Sequence, residues 1–472
     1  MTPMSSTTPD KLITSPKQLP VLIVSLLTAF MAPFMSSALN LCITQISTDF
    51  ACGATTVTWV VNAYTLCTAA FSLPFGHLAD SFGRRRMLII GSAIFGASSL
   101  ASVFAPNVYF LIAMRVVMSI GADIFLVANV PLALTYFSPK MRGRVIGVTI
   151  TATFLGISLG PVLGGLINSL ASWRWIFVIC VVISAIVVIL CFARVENDNH
   201  HDAVSLDMAG NVLSVLALLV LLLGLDECLN YLWARVLIVV GIALLVAFVW
   251  HEKDEDHPVI QVRLFVENPA YGLSNLATLL SFGASFSVSY IMSIYLVNIT
   301  GLDSMTAGLV MVCQPLMQAL LSTYAGKLSD RLPSYKVASF GMLVIVAGIA
   351  VLGFLGLDSS LAHVIIGLMI VGVGIAFFGS PNNNAILSCV DRSHYSEANS
   401  TISTMRGVGQ SVSMVMVSIV FSMTIGNTVI AQADHVLLVQ AVQTVLHIGV
   451  VVGIIAAVIS MVRSRTPQGD EL

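Results

Sequence analysis

Apolar positions run through this chain in long unbroken stretches, separated by short polar interruptions. A helix needs about 20 mostly apolar residues to cross the hydrocarbon of a bilayer. Fourteen stretches are of that order: 20–43, 56–75, 87–105, 108–135, 145–168, 173–192, 208–225, 234–250, 273–299, 306–325, 337–355, 363–387, 399–426 and 439–462. Their continuous apolarity excludes a transmembrane barrel, whose strands alternate apolar and polar positions over about ten residues. The first stretch follows a polar tail with Lys11 and Lys17 and lacks a small-residue cleavage site, so it reads as a span and not as a cleaved leader. The pattern predicts an all-α polytopic membrane protein with 14 transmembrane helices.

Composition narrows the class further. The 472 residues are 57% hydrophobic and 9% charged, whereas a soluble domain carries about 25% charged residues. A net charge of −2 offers no basic face to a nucleic acid. The eight cysteines contain no CxxC pair and no metal-like spacing, so neither a disulfide framework nor a metal site is expected. Charge position is more telling than charge number. Of the 21 Lys and Arg, Arg115 and Arg406 fall inside spans and Arg174 and Arg235 in outer loops; all the others lie in the two tails and the even-numbered inner loops. By the positive-inside rule both termini are cytoplasmic, in the cytoplasmic (inner) membrane, and the number of spans is even.

One loop pattern occurs twice. Gly76-His-Leu-Ala-Asp80 follows the second span, and Gly326-Lys-Leu-Ser-Asp330 follows the tenth, 250 residues later. Basic residues follow each copy, Arg84 to Arg86 in one and Arg331 and Lys336 in the other. If each copy closes the second helix of a six-helix unit, the chain divides into a tail (1–19), a six-helix bundle (20–192), two inserted helices with flanking loops (193–272), a second six-helix bundle (273–462) and a tail (463–472). Duplicated bundles are a transporter signature, with substrate bound at midplane between the halves.

The loop Gly76-His-Leu-Ala-Asp-Ser-Phe-Gly-Arg-Arg-Arg86 resembles the most widespread motif of the major facilitator superfamily. Gly156-x-x-x-Gly160-Pro161-x-x-Gly164-Gly165 in span five is similar to the motif of its antiporters, and Met405 to Gln410 resembles its fourteen-span drug:proton antiporter branch at span thirteen. Arg115 stands where the resemblance places a membrane-embedded arginine. The resemblance implies multidrug efflux by proton antiport with alternating access. It also implies a gate latch at the inner face, formed by Gly76, Asp80, Gly83, Arg84, Arg85 and, less fully, Asp330, after which Leu332-Pro333-Ser334 departs from the motif.

The motifs have physical content of their own. Gly76 and Gly83 permit a tight turn, and Asp80, close to the hydrocarbon, needs a partner such as a loop arginine or the start of span thirteen. Gly156, Gly160 and Gly164 recur every fourth residue, which puts a smooth groove on one helix face for close packing. Pro161 removes a backbone donor and bends the helix. Together with Gly165 these residues read as a sealed hinge.

Four ionisable residues stand well inside spans: Arg115, Asp123, Arg406 and His447. Such residues are functional candidates by default. Asp123 is the single acid, about 22 Å along span four at roughly 1.5 Å per residue, and is a candidate to exchange a proton or neutralise a cationic substrate. Arg115 lies two turns away, too far for a direct pair, and would tune that site or counter an anionic group. Arg406 is close enough to the span's end to snorkel to the inner surface, and His447 reads as packing. Asp226 and Glu227, at the outer turn of the inserted pair, read as a solvated cap. Phe34, Asn40, Asn62, Tyr64, Tyr290, Gln314, Asn383, Arg406 and Gln410 are candidates to line a cavity. Gln314-Pro315 and Pro381-Asn-Asn-Asn384 mark expected helix breaks.

The sequence departs from the branch in more than one respect. Its first span usually carries an acid ahead of an Asn; here Met35 stands in that place and only Asn40 remains. Met118 replaces the Gln expected after the arginine. The leading expectation is an exporter of small amphipathic molecules driven by the proton gradient, with no other cofactor. The alternative is an anionic metabolite, peptide-like natural product or siderophore on the same fold. An enzyme or receptor is disfavoured because no HExxH, GxSxG or soluble sensing domain is found, and the chain carries no phosphate loop for ATP.

Overall fold

The computed structural model describes residues 16–137, 141–196, 207–229, 231–255, 260, 262–329, 331–390, 395–426 and 428–462; within these, the side chains of 76–82, 142–144, 146, 150, 254 and 395–397 are not described. The elements are helices α1 (Gln18–Asn40), α2 (Ile43–Asp49), α3 (Ala54–Phe82), α4 (Arg84–Val103), α5 (Val108–Tyr136), α6 (Arg142–Leu170), α7 (Arg174–Arg194), α8 (Met208–Glu227), α9 (Leu232–Asp254), α10 (Val262–Glu267), α11 (Pro269–Ser285), α12 (Ser287–Asn298), α13 (Ser304–Met311), α14 (Cys313–Ser329), α15 (Ser334–Gly353), α16 (Leu361–Leu387), α17 (Tyr395–Thr424) and α18 (His435–Val462). They provide fourteen stretches long and apolar enough to cross a bilayer, with α11–α12 and α13–α14 each making one crossing. Helices suit this setting because each satisfies its own backbone where no water is available. With an even number of crossings, residues 16 and 462 lie on one face, the terminal face; the opposite face is distal.

Two bundles are built alike. In the first, α4 packs on α5 and α7, α3 on α5, and α1 on α6. In the second, α15 packs on α16 and α18, α14 on α16, and α11 on α17. The repeat extends to single backbone contacts. A Cβ on Gly91 would lie 2.7 Å from the Phe125 nitrogen, and Gly341, 250 residues on, meets the Phe378 nitrogen in the same way. Both sites admit only glycine because the facing helix backbone occupies the space. Helices α8 and α9 cross each other through Gly224 and Gly241, and α8 leans on both α3 and α17.

The bundles touch unequally along their length. Helix α12, the distal half of its crossing, packs on α1, whereas α11 packs on α16, α17 and α18 of its own bundle. Polar links between the bundles gather at the distal end. The Ser293 hydroxyl donates to the Asn40 carbonyl (2.9 Å), Asn298 to Thr44 (3.0 Å), Asn168 to Ser304 (3.2 Å) and the Ala54 amide to the Thr428 carbonyl (2.9 Å). Nearer the terminal face the Ser72 and Thr404 hydroxyls lie 3.4 Å apart. The described arrangement is therefore closed at the distal face.

One expectation about helix breaks needs correction. Pro381 does not interrupt α16, which runs through it; the adjacent Asn382 is buried and donates to Thr278 Oγ1 at 2.8 Å, so the polar run is satisfied within the bundle. An interruption that the pattern did not announce falls at Phe286, where the Ser287 amide donates to Ser413 Oγ (3.0 Å) and α11 gives way to α12. The expected break near Pro315 is present as the change from α13 to α14 at Val312, since Pro315 has no amide to give the Met311 carbonyl.

Candidate functional site

The site is best built from α3, because three other elements converge on it. Thr58, Trp59, Asn62 and Tyr64 lie within about two turns of its distal half, each ending in a polar group or an electron-rich ring. Arg115, on α5, reaches across to this helix. Its Nε donates to the Val60 carbonyl (3.0 Å), its guanidinium lies 4.2 Å from the Tyr64 ring centroid, and Nη1 is 3.4 Å from Met118 Sδ. The residue is 1% exposed. A carbonyl, an aromatic face and a thioether thus hold the charge, and among the described residues no carboxylate pairs with it. Met118, the substitution noted in the sequence, is one of those partners.

Asp123 lies two turns further along α5 and is also buried. Its Oδ2 has no hydrogen-bond partner among the described residues. Tyr64 and Cys67, on α3, lie within electrostatic range of it. Tyr64 therefore interacts electrostatically with both the buried cation and the buried acid. Such an arrangement can pass an electrostatic change from one to the other without a direct ion pair. Met35, at the place where the branch has an acid, is completely buried on α1.

The glycine motif on α6 does what its spacing implies. A Cβ at Gly156 would sit 2.5 Å from the Phe30 carbonyl oxygen, one at Gly160 2.7 Å from Ser37 Cβ, and one at Gly164 2.6 Å from the Ala38 carbonyl oxygen. That face of α6 is filled by α1. Pro161 leaves the Ile157 carbonyl without its helical donor, and the Ser37 hydroxyl of α1 supplies one at 3.0 Å. Gly165 faces the other way, onto Ser304 at the start of α13, and Gly308 of α13 receives the Pro161 carbonyl in return. The motif thus fixes α6 to its own bundle on one side and to the second bundle on the other.

At the terminal face, Gly83 turns α3 into α4 with φ of 87°, a left-handed value that favours glycine. Arg85 Nε donates to the Cys191 carbonyl (2.9 Å) near the C-terminal end of α7, where a cation complements the helix dipole. Arg84 Nη1 is 3.5 Å from the Pro131 carbonyl. Gly76 and Asp80 continue α3, but their side chains, and Asp330 altogether, lie outside the described residues.

The remaining candidates separate by location. Phe34 is wholly buried and stacks on Phe30 (5.2 Å), and Tyr290 bonds to Thr58 at 2.8 Å across the distal closure. Asn40 is buried with Oδ1 unpartnered. Gln314, Asn383 and Gln410 are half-buried. Arg406 is half-buried, with its guanidinium 5.2 Å from the Phe282 ring and its Nε buried without a hydrogen-bond partner. His447 packs on Gly353 and Phe354.

Two acids were misread from the sequence. Asp226 is 4% exposed, not a solvated cap. Asn62 Nδ2 donates to it at 2.9 Å and to Ser418 of α17 at 2.9 Å. Glu227 accepts from Trp59 Nε1, also at 2.9 Å. Asp123 is consequently not the single acid in the interior. A helix-terminal Asp-Glu reads as a cap in any one-dimensional pattern; its only signal was that α8 belongs to an inserted pair with two bundles to lean on. At the terminal ends of α8 and α9, Asp207, His251 and Glu255 bring ligand atoms within 4.8 Å of one another. His251 Nε2 is 3.1 Å from both Asp207 oxygens, and Asp207 also caps α8 through the Gly210 amide.

Two matching bundles and an inserted pair, making fourteen crossings among the described residues, with charged side chains buried inside them, define a polytopic membrane transporter. Its sequence matches the profile of the Major Facilitator Superfamily over residues 25–263 and 275–471. The chain belongs to the Major Facilitator Superfamily. It is 31% identical over 396 residues to the riboflavin transporter RibZ of Clostridioides difficile, covering 82% of this chain and 85% of that protein. It is 28% identical over 403 residues to the multidrug resistance protein Stp of Mycobacterium tuberculosis, covering 84% and 74%. Among solved structures it is similar to a POT family transporter in complex with 5-aminolevulinic acid, with a TM-score of 0.72 at 13% identity over 95% of this chain and 96% of that one. The chain is a transporter, not an enzyme.

Proposed function

We propose that this transporter exports small amphipathic, drug-like molecules across the cytoplasmic membrane by proton antiport, with the terminal face cytoplasmic. The observation that carries the reading is Asp123, a buried carboxyl with an unpartnered oxygen beside Tyr64, which in turn lies under Arg115. A carboxyl in that position can gain or lose a proton as substrate leaves or enters, and Tyr64 carries the change to the arginine that ties α5 to α3. The Lys and Arg asymmetry supports the orientation, and the multidrug resistance relative supports the substrate class. The units are two bundles, 20–192 and 273–462, with an inserted pair at 193–272. The proton gradient supplies the energy, and the substrate, protons and lipid are the partners.

In proteoliposomes, an imposed proton gradient is expected to drive dye transport by the native chain. Asp123→Asn should abolish that response while leaving substrate exchange without a gradient. Gradient-driven transport at the native rate in Asp123→Asn removes Asp123 from the mechanism. A second reading, an anionic substrate, draws on Arg406, whose Nε is buried without a partner. A panel of cationic dyes, anionic dyes and riboflavin separates the two. Anion transport that Arg406→Gln reduces at least tenfold favours the second.

A further inference from the structure

The role of the inserted pair is open to a physical reading at one junction. Asp226, at the distal end of α8, is buried where α8 meets α3 of the first bundle and α17 of the second. Asn62 spends both amide hydrogens there, one on Asp226 Oδ1 and one on Ser418 Oγ. Two acceptor atoms then remain buried without a hydrogen-bond partner, Asp226 Oδ2 and Asn62 Oδ1. A buried acceptor left without a donor is destabilising, the more so when it is charged. The Ser418 hydroxyl also lies within hydrogen-bonding reach of this carboxyl, yet those two oxygens stay unpartnered and, among the described residues, no cation compensates the acid. Glu227, beside it on α8, is also an acid and accepts from Trp59 of α3. Arg235 of α9 is exposed and donates to the Cys228 carbonyl instead. Helices α3 and α17 face Asp226 with neutral Asn62, Trp59 and Ser418.

We propose that Asp226 is a proton-binding site through which the inserted pair controls closure of the distal face. A proton on its carboxyl removes an uncompensated buried charge and supplies the missing donor, so the proton-loaded form holds α8, α3 and α17 together. An ionised Asp226 favours separation of the bundles, which returns the carboxylate to water. This sign suits an antiporter: a proton taken from the distal side closes that side and turns the site to the terminal face. The inference rests on the alternating-access, proton-coupled reading above, but assigns a second acid, outside both bundles, as the sensor of distal pH.

The test measures closure and not transport. Spin labels at Ala171→Cys and Ser359→Cys, on the distal ends of the two bundles in a background without native cysteines, report the distance across the distal face. In the native background, lowering the pH should shift the population to the short distance, by at most about tenfold in the closed-to-open ratio per pH unit for one proton. Asp226→Asn is neutral and brings its own donor, so it should give the short distance at every pH, whereas Asp226→Glu should restore pH dependence. A melting temperature matching that of the native chain shows that the variant is folded. An unchanged pH response in Asp226→Asn overturns the proposal, as does a native chain whose distal distance ignores pH. Neither result bears on Asp123, whose gradient-driven transport is measured separately, so the two readings fail independently.

Discussion

Arg115 shows how a charge can be kept in hydrocarbon without a counter-ion. The Val60 carbonyl, the Tyr64 ring and Met118 Sδ each take part of the charge, and cation–π contacts gain strength when desolvated. Lysine cannot reproduce the planar contact, so Arg115→Lys should lower both the melting temperature in detergent and the transport rate, the latter at least tenfold. At the distal surface, Asp303 caps α13 by accepting from the Thr306 hydroxyl (2.6 Å) and the amides of Met305 and Thr306. The Thr306 hydroxyl, with those amides, holds the carboxyl below the usual range. The capping stability is present at neutral pH and is lost as pH falls through that lowered pKa. Asp303→Ala should therefore lower the melting temperature at pH 7, and the difference from the native chain should shrink toward pH 3.

At the scale of elements, the helices were legible because each is an almost continuous apolar stretch, and lipid leaves the backbone no alternative. The groove on α6 was legible for a different reason: glycines at every fourth residue can only present one face. What was not legible depends on partners. Pro381 looks like a breaker, yet the helix passes through it because the neighbouring Asn382 finds Thr278; Phe286 looks unremarkable, yet the helix is interrupted there because Ser413 captures the next amide. Asp226 belongs with these, since its burial is set by α3 and α17 and not by its own segment. The glycine contacts give a direct check. Gly164→Val places carbon against the Ala38 backbone, and overpacking of this kind costs about 1–3 kcal/mol. Its melting temperature should fall, while Gly147→Val, with open space around it, should not change.

The whole molecule is two similar bundles whose polar links gather at one end. Distal links such as Asn298 to Thr44 (3.0 Å) bridge them, while α11 keeps to its own bundle toward the terminal face. If these links belong to only one half of a transport cycle, a covalent bond in their place must stop it. Oxidising Thr44→Cys with Asn298→Cys should arrest transport, and reduction should restore it; turnover unaffected by a complete cross-link would show that the distal ends never part. The inserted pair breaks the likeness of the two sides. Two long seams run between the bundles, α3 against α17 and α6 against α13, and α8 roofs the first of them. The second has no third helix over it among the described elements. A solute dissolved in the lipid therefore meets a third helix over the seam on one flank, and on the other only the close packing of Gly165 on Ser304 and of Gly308 on Pro161.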